Sequence, residues 1–205
     1  MISGQDGRWR PIRAVLAGRA LAGRALAGRV LAGRVLVTVA VLTVTGCGTA
    51  GSGAAVAPAP MSISSEAFIQ GGLVARYTCH GDKLNPPLNW SGAPPGTKSL
   101  ALIVDDSSAP ITPFIYWLVF DLGPGTTDIQ EGSKLPPGAR QAQNSQGTAT
   151  YDPPCPKGHP HAYRFTVYAL RAVLKQANGA SLASVLSSIE AATIGRGRIV
   201  VTGNP

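Results

Sequence analysis

Ser99-Leu-Ala-Leu-Ile-Val-Asp-Asp106, Phe114-Ile-Tyr-Trp-Leu-Val-Phe120 and Tyr163-Arg-Phe-Thr-Val-Tyr-Ala-Leu170 are the stretches that decide the fold, each seven or eight residues long. They are rich in β-branched and aromatic side chains and too short for a typical globular helix, so each reads as a strand. Between and around them stand Asn85-Pro-Pro87, Pro94-Pro-Gly96, Gly123-Pro-Gly125, Pro136-Pro-Gly138 and Pro153-Pro154. Proline at that density is excluded from helix interiors and central strands, so these are turns and loops. One helix is predicted late in the chain. Leu182, Val185, Leu186 and Ile189 follow the i, i+3, i+4, i+7 rule, with Gly179 before and Gly195 after. The expected fold class is mainly β: a sandwich with long Pro/Gly-rich loops and a C-terminal helix.

Charge and composition divide the chain. It has 205 residues, 14% of them charged, against about a quarter in ordinary soluble proteins. The formal charge of +8 is uneven: residues 1–46 hold seven Arg and one Asp, whereas residues 47–205 hold 11 Lys+Arg and 9 Asp+Glu. The basic balance belongs to the leader, and no nucleic-acid partner is expected from it. Within that leader the apolar run Val35 to Thr45 is about half of what spans a bilayer, which reads as an export signal. Val44-Thr45-Gly46-Cys47 resembles a bacterial lipobox, in which the Cys is acylated and becomes the new N-terminus; the alternative is an ordinary signal peptide that contains a Cys. Gly48 to Pro60 is small, uncharged and Pro/Ala/Gly-rich, as suits a tether. The expected organisation is a signal over 1–46, a tether over 47–60 and a domain over 61–205. The protein would be exported and held by lipid on Cys47 at the extracytoplasmic face of the cell membrane. Leu-Ala-Gly-Arg recurs at 16–19, 21–24, 26–29 and 31–34. A step of five turns a helix by about 140°, which builds no amphipathic face, and the unit is too short for a solenoid.

With Cys47 lipidated, Cys79 and Cys155 remain as a pair in an oxidising compartment: either a disulfide, which that compartment favours, or two buried thiols. No Cys-x-x-Cys spacing occurs, and His80, His159 and His161 are scattered, so neither a metal nor another cofactor is expected.

Four polar settings call for chemistry. Asp105 and Asp106 end an apolar run; adjacent strand residues point to opposite faces, so they cannot act as one dyad. Asp106 shares a face with Leu102 and Val104 and sits at its rim, either as a site residue or as a solvated strand-end cap. In Asp152-Pro-Pro-Cys-Pro-Lys-Gly-His-Pro-His161 a stiff loop ends in imidazoles. Period two then puts His161, Tyr163, Phe165 and Val167 on one face. An imidazole and a phenol beside a Lys and loop amides suit an anion such as phosphate; a structural His beside a core Tyr is the alternative. Asn144-Ser-Gln-Gly147 reads as a structural polar turn and Tyr116-Trp117 as core. No Gly-x-Ser-x-Gly, Walker loop, Gly-x-Gly-x-x-Gly or His-Glu-x-x-His is present, so an enzyme is not expected.

Taken in order, Tyr77-Thr-Cys-His-Gly81, Pro86-Pro-Leu-Asn-Trp-Ser-Gly92, Pro94 through Asp106, Asn144-Ser-Gln-Gly147, Pro154-Cys-Pro-Lys-Gly158 and Tyr163 through Leu170 form a series. Together they resemble the phosphatidylethanolamine-binding protein family, in its bacterial Raf-kinase-inhibitor-like branch, over about residues 62–200. The resemblance implies a β-sandwich with a small anion pocket at one end, and carries pocket roles onto Asp106, Pro156, His161 and Tyr163. It also exposes departures. Ser108 stands where the family pattern has a second Asp, Tyr116 where it has a His before Trp, and Ala162 where it has an Arg. The pocket shape is expected to survive with altered anion affinity, and Ala109-Pro110 is a candidate cis bond. The implied function is a membrane-tethered module that binds a small anion or phospholipid headgroup through Asp106, Tyr116, Pro156, His161 and Tyr163. The alternative is a protein-interaction or inhibitor module whose anion pocket does not work.

Overall fold

The computed structural model describes residues 56–109 and 112–205. The leader, Cys47, the tether up to residue 55 and the Ala109-Pro110 bond lie outside the described residues. The strands are β1 (Ala59–Pro60), β2 (Ser62–Ser64), β3 (Phe68–Ile69), β4 (Gly72–Leu73), β5 (Leu88–Ser91), β6 (Ser99–Asp106), β7 (Phe114–Leu122), β8 (Asp128–Ile129), β9 (Arg140–Gln141), β10 (His161–Leu170) and β11 (Thr193–Gly203). Helix α1 (Leu182–Ala192) runs directly into β11. The larger sheet has the order β3-β4-β11-β10-β6-β7-β9, with β1 added in parallel to β11; the smaller is β2-β5-β8.

The sheets face each other across the main core. Leu100, Leu102 and Val104 of β6, Tyr163, Phe165, Val167 and Ala169 of β10, and Trp117 and Val119 of β7 meet Leu88, Trp90 and Ile129 of the small sheet. The intervening residues of β6 and β7, Ala101, Ile103, Ile115, Leu118 and Phe120, point the other way. There they are covered by Val185, Ile189 and Ala192 of α1. β6 and β7 are thus buried on both faces and read as continuous apolar runs rather than alternating ones, whereas β10 alternates, with Arg164, Thr166 and Tyr168 on its outer face. Each large side chain so buried contributes about 1.5–3 kcal/mol. All core residues lie between Met61 and Val201, so the domain carries its own core.

The helix ends at Ala192, between Gly179 and Gly195 as expected, but Gly195 serves a strand: it lies inside β11, where its missing side chain makes room for Pro94, whose Cδ would stand 2.8 Å from a Cβ. The strand itself escapes sequence pattern because its inward positions include Gly195, Gly197 and Gly203, with Arg196 and Arg198 alternating outward. A Cβ on Gly197 would meet Met61 O at 2.6 Å. Glycine here lets β1 and β2 pass close across the strand, and the apolar alternation that would announce it is erased. The helix itself begins at Leu182 as predicted.

Candidate functional site

The site lies where β6, β7 and β10 end together. Asp106 is the last residue of β6 and the register pairs it with Tyr163 of β10. His161 starts β10 opposite Gly203. Alternation along β10 turns Tyr163 toward the main core, with His161 on the same side at the rim, and alternation along β6 brings Asp106 to the same rim. Asp105 faces the opposite side, where it pairs with Arg164, so the two carboxylates do not form a dyad.

Tyr116 arrives by a different device. Val104 pairs with Trp117 but Asp105 pairs with Ile115, so Tyr116 is an extra residue in β7. The bulge turns both Tyr116 and Trp117 toward the main core, against the strict alternation of a strand. Trp117 is indeed core, its indole donating to Gln141 Oε1 at 2.6 Å. Tyr116 instead reaches the rim and presents its ring edge to Tyr163, with centroids 5.7 Å apart.

His161 Nδ1 donates to Asp106 Oδ2 at 2.6 Å, and Asp106 Oδ1 accepts the Ser108 N–H at 2.7 Å. Both carboxylate oxygens are therefore occupied, and the ring is held with Nε2 directed away from the carboxylate. Asp106 is buried, at 3% exposure. The Tyr163 ring stacks on His161 with centroids 6.0 Å apart. Its hydroxyl is buried and makes no hydrogen bond of ordinary geometry, while the neighbouring Tyr116 phenol lies close enough to couple to it. Burial first, then Asp106 and Asp152, pushes the Tyr116 phenol up to about 12. Burial, then Tyr116 and Asp106, raises Tyr163 as well. Both hydroxyls consequently stay protonated, as hydrogen-bond donors, through the neutral range.

Pro156 is buried in the loop before β10 and makes none of these contacts. That loop is held by the disulfide Cys79–Cys155, which closes a separation of 76 residues, and by Cys79 N–H donating to Pro154 O at 3.0 Å. The sulfur atoms and His80 form the one three-residue metal-ligand cluster among the described residues, but both sulfurs are bonded to each other. Asn144 is structural: its Oδ1 accepts from Gln146 N, Thr148 N and Thr148 Oγ1, and its Nδ2 reaches Tyr116 O and Thr150 O.

The departures interlock. Ser108 Oγ accepts the Ala162 N–H at 2.9 Å, and Ser107 N–H donates to Ala162 O at 3.0 Å. The positions expected to hold a carboxylate and a guanidinium thus face each other and are joined by neutral hydrogen bonds. Four further residues stand at the site without having been assigned to it from the sequence. His159 stacks on His161 with centroids 4.6 Å apart. Lys83 and Asp152 share with Tyr116 and the disulfide a cavity of about 390 Å³. Gly203 lies flat under Tyr163, where a Cβ would collide with the ring. The cross-strand position of Gly203 and the disulfide that brings Lys83 near are tertiary facts, and local pattern carries no sign of either.

The model of the family described as phosphatidylethanolamine-binding protein matches residues 64–204. The chain belongs to that family. Among its relatives, a UPF0098 protein of Methanothermobacter thermautotrophicus is 39% identical over 145 residues, which are 68% of this chain and 96% of that one. That relative consists almost wholly of the matched segment, so the domain exists as a protein by itself. LppC of Mycobacterium tuberculosis, named as a candidate lipoprotein, is 35% identical over 151 residues, 72% of this chain and 74% of its own. Of solved structures, Escherichia coli YbcL, described as a new member of the mammalian family, superposes with a TM-score of 0.65 at 29% identity, covering 71% of this chain and 98% of its own. The homologue CT736 of Chlamydia trachomatis gives 0.63 at 33% identity, covering 71% and 97%. These two confirm the mainly β fold with its C-terminal helix.

Proposed function

We propose that this family member is a binding protein for a phosphate-bearing anion or headgroup, tethered to the membrane by lipid on Cys47. The observation that carries the reading is the pair formed by the Asp106–His161 hydrogen bond and the unpartnered, buried Tyr163 hydroxyl beside it. An unsatisfied buried hydroxyl costs about 1–3 kcal/mol, and a site that keeps one is set to receive an acceptor. The two phenols are the donors, and His161 Nε2 joins them only in the imidazolium form, because Nδ1 already donates to Asp106. Asp106 is a positioning residue, since both its oxygens are taken and a bare carboxylate would repel the anion. Tyr116 fills the space in front of Tyr163, so binding requires its ring to turn aside. The Cys47 anchor is supported by the Val44-Thr45-Gly46-Cys47 motif and by the name of the mycobacterial relative. We read the protein as a binder and not an enzyme, because the proton-holding pair Asp106–His161 has no nucleophile assigned to it.

The test is to titrate residues 61–205 with inorganic phosphate and with phosphoethanolamine while following the His161 ring resonances by NMR. A saturable shift that Tyr163→Phe weakens is expected. No shift at the highest soluble phosphate overturns the reading. The alternative is an interaction module whose pocket binds no anion, and a partner retained by His161→Ala in pull-downs would identify it.

A further inference from the structure

The domain carries its charge at one end. Residues 47–164 hold 7 Lys+Arg against 8 Asp+Glu, whereas residues 165–205 hold Arg171, Lys175, Arg196 and Arg198 against Glu190 alone. All of the positive excess therefore comes from the loop after β10, with Arg171 and Lys175, and from β11, with Arg196 and Arg198, while α1 between them carries Glu190. β11 turns Gly195 and Gly197 inward and Arg196 and Arg198 out to water. The register sets Arg196 beside Tyr168 and Arg198 beside Thr166, on the outer face that α1 covers in part. Arg198 donates to Thr166 Oγ1 at 3.0 Å, and neither arginine is in an ion pair among the described residues. Arg164, by contrast, is held by Asp105. Val200, 52% exposed, continues the same row.

This face is also where the chain comes in from its N-terminal part. Pro58, Glu190 and Arg196 line the same hollow of about 370 Å³. Pro60 pairs with Arg196, and Met61 N–H donates to Arg196 O at 3.0 Å. The candidate site is at the other end of the same strands. Ala59 is level with Gly195 and Ala169, while His161 is level with Gly203. Eight residues of β10 separate the two levels, about 26 Å of strand, and Tyr163 turns to the main-core side of the sheet, opposite the face that carries Arg196 and Arg198.

We propose that the outer face of β11, centred on Arg196 and Arg198, docks on an anionic phospholipid surface and holds the anion pocket away from it. Lys and Arg near such a surface each strengthen attachment about fivefold, so the two arginines together supply about 25-fold. The pocket then opens to the aqueous side, near Asp106 and Asp152, and takes its phosphate-bearing ligand from solution and not from the leaflet below. The inference rests on the proposed tether only for where the membrane is, and on the pocket only for what faces outward.

Residues 56–205 are floated with vesicles of phosphatidylglycerol mixed with phosphatidylcholine, and with phosphatidylcholine alone, at low and high salt. Binding to the anionic vesicles only, lost at high salt, is expected. Arg196→Gln with Arg198→Gln should weaken it about 25-fold and leave the phosphate shift at His161 unchanged, which also shows that the variant is folded. In bicelles carrying a spin-labelled lipid, amides 195–200 should broaden and His161 should not. Equal binding to neutral vesicles, no effect of the double variant, or broadening centred on His161 overturns the proposal. Phosphate titration without lipid reads the pocket separately, so failure of one reading is distinguished from failure of the other.

Discussion

Replacing Tyr163 by Phe separates a binding role from a structural one, because the two make opposite predictions for stability. The ring is fully buried, stacks on His161, meets the edge of Tyr116 and lies over Gly203. Phenylalanine keeps all of those contacts. It removes only the hydroxyl, which is buried without a partner. Leaving such a group unsatisfied costs about 1–3 kcal/mol, so its removal should stabilise the ligand-free domain by about 1 kcal/mol. For a domain of this size that is a rise in Tm of about 3 °C. Phosphate binding should move the other way. A hydrogen bond to a charged group is worth about 1.5–3 kcal/mol, so the dissociation constant should rise roughly 10- to 150-fold. Ligand stabilises the native state through its occupancy, so the two effects appear in one experiment. Melting curves recorded against phosphate should show the variant more stable without phosphate and the native protein overtaking it as phosphate is added. A variant that is less stable than the native protein by 1 kcal/mol or more and binds phosphate equally well would refute the reasoning, since the hydroxyl would then have a structural partner.

Three further outcomes are expected. Tyr116→His should open the space before Tyr163 and add a cation, raising phosphate affinity about tenfold; NMR titration should show the gain fading as pH rises past the imidazole's ordinary value of about 6.5. Replacing Cys79 and Cys155 by Ser should cost about 4 kcal/mol, because the unfolded chain regains the freedom of a 76-residue loop; denaturant unfolding measures it, and a cost under about 1 kcal/mol would deny the disulfide that role. Asp121 accepts the Leu174 N–H at 2.8 Å and faces Arg140 at 3.3 Å, yet burial lifts its carboxyl above the usual range. A carboxyl raised on folding contributes stability at low pH that is lost as pH rises through the folded value. Asp121→Asn does not titrate and tolerates the positive φ of 57° at that position, so its stability relative to the native protein should improve between about pH 3 and pH 6. A constant difference across that range in thermal scans would show that the carboxyl is not perturbed.

Much of this protein was legible in the chain itself, where the signal is local. Length, composition and proline spacing marked β6, β7 and β10, because strands buried on both faces, as β6 and β7 are, must be apolar throughout, and β10 keeps an apolar face toward the core. Period two placed His161 with Tyr163 and put Asp105 and Asp106 on opposite faces, since pleating leaves no other arrangement. The ordered motifs identified the family, and the even pair of cysteines in the domain anticipated the bond between Cys79 and Cys155. Other features depend on which segments meet, and only the tertiary structure decided them. β11 was hidden because three of its inward positions are glycines, chosen by Pro94, the backbone of Met61 and the ring of Tyr163 that press on them. Tyr116 reaches the rim through a bulge, a mismatch between two strands that neither strand shows alone. Ser108 and Ala162 proved to be partners across 54 residues. The basic face of Arg196 and Arg198 became a surface only when β11 laid its alternate residues outward beside the point where the N-terminal segment joins the domain. Local pattern records what each residue does to its own backbone; register and close approach record what distant residues do to each other, and the chemistry of this site is of the second kind.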